Sequence, residues 1–128
     1  MTTIDTLKSL QKRTRESTGP DAELDLAIAD AFGRPAIWVG GDYVAERFTT
    51  DPDDLGACVA LMREVLPWWR KDSTQLEVFK VYVWHPDRYT TTNTSDQHAL
   101  ETHATLLAII AARIAVIAEE EAKEKADV

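Results

Sequence analysis

Apolar residues near the start of the chain recur every three or four positions. Ile4, Leu7 and Leu10, with Gln11 beside them, predict a short amphipathic helix from about Thr3 to Arg15. Leu24, Ala27, Ile28, Ala31 and Phe32 form a second helical stripe. It is preceded by Thr18-Gly19-Pro20-Asp21, in which Thr18 can cap the helix and Asp21 can reach back as a capping-box acid. Gly33 is placed to end this helix in the left-handed conformation, and Pro35 blocks its continuation. A related start, Thr50-Asp51-Pro52-Asp53, precedes a third stripe of Leu55, Val59, Met62 and Leu66, which Pro67 terminates.

The period changes between these helices. Ile37-Trp38-Val39 and Asp42-Tyr43-Val44 flank Gly40-Gly41, the pattern of a hairpin. The segment Leu76 to His85 alternates, with Leu76, Val78, Lys80, Tyr82 and Trp84 on one face and Phe79, Val81, Val83 and His85 on the other. Both faces are largely apolar, so the expectation is a central strand covered on both sides. Arg88 to Asn93 reads as a short edge strand or a loop. From about Ser95 or Asp96 the pattern is helical to the end, with Leu100, His103, Leu107, Ile110, Ile114 and Ile117 on one face. Its alanines permit close approach to a sheet. The pattern as a whole predicts an α/β fold of α+β type: a three-layer helix/sheet/helix sandwich with a small, mainly antiparallel sheet. Residues 1–118 form one domain, and residues 119–128 form a charged tail expected to fray.

Composition narrows the function. The 128 residues carry 14 Lys+Arg against 22 Asp+Glu, a formal net charge of -8, which disfavours direct binding to nucleic acid. The one local basic cluster is Lys8, Lys12, Arg13 and Arg15, which suits the end of a helix. A single cysteine, Cys58, fits a reducing cytosol and reads as a buried core residue. Leu106 to Ala118 is nearly apolar but contains Arg113 and is too short to span a membrane. No signal-peptide pattern opens the chain.

Three segments together resemble the phage ABA sandwich domain family. They are Thr18 to Asp25 with the following Ile28-Ala29; Phe48-Thr49-Thr50-Asp51 with the Leu55 helix and Leu66-Pro67-Trp68-Trp69; and the alanine-rich helix around Thr102 to Ala118. The chain departs from the family pattern at Ile37–Phe48, at Trp68-Trp69 and at Thr90–Gln97. The resemblance implies a helix/sheet/helix domain encoded by phages or prophages. It implies no settled activity, no cofactor and no catalytic residues.

Chemistry is sparse in the sequence. His98 and His103 are five apart, so they do not share one helical face as a metal pair would; a site would need His85, Asp87 or Glu101 to converge with them. No serine sits in a nucleophile elbow, and the acids Asp21, Asp51 and Asp53 read as helix caps. Neither a catalytic nor a metal site is expected, and no cofactor. Trp68 and Trp69, adjacent at a helix exit, either cover the core edge or present a ring to a partner, with Tyr89 a weaker candidate of the same kind. The functional expectation is a non-catalytic phage or prophage accessory protein in the host cytosol that binds a host or phage protein. One version is an acidic inhibitor of a host nucleic-acid-binding defence enzyme. The alternative is a module for a nucleotide-like ligand at Gly40, Gly41, Lys12 and Arg15. An open sheet edge also permits a homodimer.

Overall fold

Thr3 caps the first helix, α1 (Ile4–Glu16), by accepting from the Thr6 amide at 3.2 Å. The computed structural model that shows this describes residues 3–34, 37–39, 42–44, 47–50, 53–67, 69–75, 77–85 and 94–126. Helix α1 buries Leu7, Leu10 and Thr14, and the Thr14 hydroxyl is satisfied by donating to the Leu10 carbonyl at 2.7 Å.

Helix α2 (Ala22–Ala31) begins three residues later than a cap at Thr18 implies. Asp21 itself is the N-cap, accepting from the Leu24 amide at 3.0 Å, so Thr18 does not hold that position. Pro20 stands just outside the helix, where its missing donor is not needed. The C-terminal end is as expected. Gly33 has φ of 70°, its amide donates to the Asp30 carbonyl, and the Arg34 amide donates to the Ala29 carbonyl. This is a Schellman closure, which favours glycine because a Cβ at that φ is strained.

Strands β1 (Ile37–Val39) and β2 (Asp42–Val44) pair antiparallel with Val39 opposite Asp42, as a hairpin requires; its Gly40-Gly41 turn lies outside the described residues. Helix α3 (Leu55–Val65) starts at Asp54, whose side chain makes no cap to its own helix. That carboxylate turns back and accepts from the Thr50 amide at 3.1 Å. The expected cap at Thr50–Asp53 is therefore displaced by four residues at most, and Asp51 and Pro52 lie outside the described residues.

The main sheet has the order β3-β4-β5, all antiparallel, from β3 (Arg70–Gln75), β4 (Phe79–Trp84) and β5 (Thr94–His98). Helix α4 (Glu101–Ala126) follows. The fold is thus the mixed helix-and-sheet class expected, with a small antiparallel sheet. Three local differences stand out. Residues 94–98 are strand rather than helix, β3 is a strand made of polar residues, and α4 continues through the charged tail to Ala126. Lys123 and Lys125 in its last turn favour that continuation, and Lys123 pairs with Glu119 at 3.6 Å.

Helix α4 organises the core. Leu106 and Ile110 join Leu7, Leu10, Leu24, Ile28, Phe48, Cys58 and Leu61 in one buried cluster. Ala104, Ala108 and Ala112 repeat at intervals of four and meet Val81 and Val83 of β4, with Met62, Leu66 and Trp69 completing a second cluster. Each Leu, Ile or Val side chain buried this way contributes roughly 1.5–3 kcal/mol. By length and hydropathy α4 could cross a membrane, but 61% of its most apolar window is buried within the protein. Its apolar surface is used by the fold.

Candidate functional site

Alternation along β4 sorts its residues to two faces. Val81 and Val83 are buried against α4, whereas Lys80 and Tyr82 are exposed, Tyr82 to 38%. The sequence expectation that both faces of this strand are covered therefore holds for one face only. Cross-strand register completes the outer face: Arg70 opposes Trp84, Asp72 opposes Tyr82, and Thr74 opposes Lys80. On the other side Gln97 opposes Lys80. Among these, Arg70, Asp72, Thr74 and Gln97 are exposed and Trp84 is half-buried. The Lys80 ammonium lies 5.3 Å from the centre of the Tyr82 ring, a cation–π geometry that orients the ring. Among the described residues no helix or strand packs across this face.

The outer face is thus an aromatic centre, Tyr82 and Trp84, between two cations and one acid. Arg70 and Lys80 are positive in a chain of net charge -8. The chemistry these described side chains offer a second molecule includes stacking, apolar burial and charge pairing.

Sequence-nominated residues fall elsewhere. Trp69 is 8% exposed, packs in the second core cluster and meets the His85 ring edge-on at a centroid distance of 6.0 Å. Its indole takes the core-covering role that the sequence left open beside the interface role. Trp68, Tyr89, Gly40 and Gly41 lie outside the described residues. Lys12 is exposed on α1, and Arg15 bonds Asp96 of β5 at 3.0 Å, tying the end of α1 to the sheet. Tyr82, Lys80 and Arg70 were not singled out by sequence reasoning. The available signal was the lysine in the middle of an otherwise apolar strand face, which marks the side turned to water.

Two polar clusters have structural uses. The first joins α2 to the segment before α3. The Asp25 carboxylate, 5% exposed, accepts from the amides of Phe48 and Thr49, each at 3.1 Å. The Asp21 amide donates to the Thr49 hydroxyl at 2.8 Å, and the Cys58 thiol donates to the Phe48 carbonyl at 3.3 Å. Burial raises the Asp25 pKa above its ordinary value; the amide donors oppose that shift, and the nearby Asp54 charge adds to it. This clasp contains Asp21, Asp25 and Thr49, all within the segments that carry the family resemblance.

The second cluster brings His98 and His103 together, stacked with ring centroids 4.8 Å apart. The reading from helical spacing does not apply, because His98 ends β5 and residues 99–100 turn the chain into α4. His103 is fully buried, with Nε2 3.0 Å from the Ser17 hydroxyl and Nδ1 3.1 Å from the Thr102 hydroxyl. The Ser17 hydroxyl also reaches the Gly19 carbonyl at 3.0 Å, and the direction of its bond with His103 Nε2 follows the tautomer of the ring. His98 Nδ1 accepts from the Leu100 amide at 2.9 Å and so fixes the turn. Among the described residues no group of three or more His, Cys, Asp or Glu side chains is placed to hold a metal.

No family model, no curated protein and no solved structure matches the chain.

Proposed function

We propose that this protein is a non-catalytic binding module that docks a protein partner on the outer face of β3-β4-β5. The observation that carries this reading is the uncovered aromatic centre of Tyr82 and Trp84 set between Arg70 and Lys80. The partner it fits presents an apolar patch with acidic residues at its rim. Aromatic residues and arginine are the side chains that most often dominate such interfaces. The phage or prophage setting, and a host protein in the bacterial cytosol as partner, form part of this proposal through the family resemblance.

The sheet face is a better basis for binding than mimicry of nucleic acid by acids. Asp21 caps a helix, Asp25 is buried on two amides, and Asp54 is buried on the Thr50 amide. Those three carboxylates serve the fold and present little charge to a basic channel. The nucleotide-like ligand alternative draws no support from Arg15, which is committed to Asp96.

The test is affinity capture from a bacterial lysate followed by titration of the purified partner. Wild type is compared with Tyr82→Ser/Trp84→Ser and with Lys80→Glu. Support is a partner whose affinity falls at least about tenfold with each variant while the thermal midpoint of Lys80→Glu is unchanged. A partner bound equally by all three proteins, or no retained partner, refutes the reading.

A further inference from the structure

A second site lies away from the sheet face and shares no residue with it. Asp30, Ala31, Phe32 and Gly33 at the end of α2, Glu64 and Val65 of α3, and Arg113 of α4 line a cleft of about 460 Å³. The cleft is open to solvent.

Two charges in this cleft are placed against local preference. Arg113 interrupts the apolar run of α4, is half-buried, and has no acid within ion-pair distance among the described residues. Charged groups in such positions are normally paired, since partial burial weakens their hydration. Asp30 sits in the last turn of α2, which contains no basic residue, so its carboxylate faces the negative end of the helix dipole. It does not pair with Arg113. The third charge, Glu64, is already held by Arg34. Phe32 and Val65, both half-buried, give the cleft an apolar wall.

We propose that this cleft binds a small zwitterion, an α-amino acid with an apolar side chain. Its carboxylate pairs with the Arg113 guanidinium. Its ammonium lies at Asp30, where the carboxylate and the α2 dipole both favour a cation. Its side chain rests on Phe32 and Val65. One unpartnered cation, one unpartnered anion and an apolar wall in a single cleft match those three parts. A simple anion would leave Asp30 unused and repelling, and a simple cation would do the same at Arg113.

The test is calorimetric or NMR titration with leucine and phenylalanine, beside their N-acetyl derivatives, which lack the cation, and their amides, which lack the carboxylate. Saturable binding of the free amino acids is expected. Affinity should fall about tenfold or more when either charge is blocked, and by a similar factor in Arg113→Met and Asp30→Asn. Arg113→Lys retains the charge and should bind more tightly than Arg113→Met. Thermal melting of each variant without ligand checks the fold. Absence of saturable binding by wild type, equal binding of blocked and free ligands, or undiminished binding by Arg113→Met with a normal melting curve would overturn the proposal.

Discussion

The clasp and the outer sheet face use polar and charged groups in opposite ways. In the clasp, Asp25 is almost completely buried and two backbone amides converge on one of its oxygens. On the sheet face, Arg70, Asp72 and Lys80 are exposed around Tyr82 and Trp84. A buried carboxylate with matched donors fixes one segment of chain against another. An exposed charge beside an exposed ring fixes nothing internal and is available to a second molecule. The difference separates residues that make the fold from residues left over for function, although both sets are polar.

Mutations should break this comparison in a definite order. The largest effect is expected from Asp25→Ala, which leaves two buried amides without an acceptor and should lower stability by about 2–4 kcal/mol in urea unfolding. Asp25→Asn keeps an oxygen for both amides and removes a poorly solvated charge, so a change within about 1 kcal/mol is expected. A comparable loss in Asn and Ala would mean that the charge, not the acceptor, holds the clasp.

Acid titration sharpens the same point. The folded protein holds the Asp25 proton more tightly than the unfolded chain, because its pKa is raised on folding. In the window between the ordinary carboxylate value and the raised one, the folded state binds more protons. Stability of wild type relative to Asp25→Asn should therefore increase as pH falls through the raised pKa, then level off below the unfolded value. The opposite slope in paired urea titrations would show that the amide donors outweigh burial.

A smaller loss, about 1 kcal/mol, is expected for Asp21→Ala, which removes the cap of α2. The smallest is Lys80→Glu, with stability within about 0.5 kcal/mol of wild type because the side chain is exposed. A large loss there would place Lys80 among the residues that hold the fold.

The helical elements were legible because capping and periodicity act locally. Gly33 is the clearest case: its place after the Ala31-Phe32 stripe predicted the left-handed closure that its φ shows. The edge strands were not legible. Arg70–Gln75 and Thr94–His98 are polar because β4 supplies Val81 and Val83 to the core, leaving its neighbours to contribute mainly backbone hydrogen bonds. Misplacing β5 also moved the start of α4 and hid the His98–His103 stack. Charge composition gave the exposed face no signal at all, since Arg70 and Lys80 are far apart in sequence and meet the same face only through strand register. The clasp was half visible. Asp21 reads as a helix-capping acid, but the partner that Asp25 grips lies more than twenty residues away.

Titration of the captured partner against Tyr82→Ser tests the division between fold and function most directly. The expected result is an affinity at least about tenfold below wild type, with the unfolding midpoint unchanged. An unchanged affinity, or a loss of binding that follows a loss of stability, would contradict it.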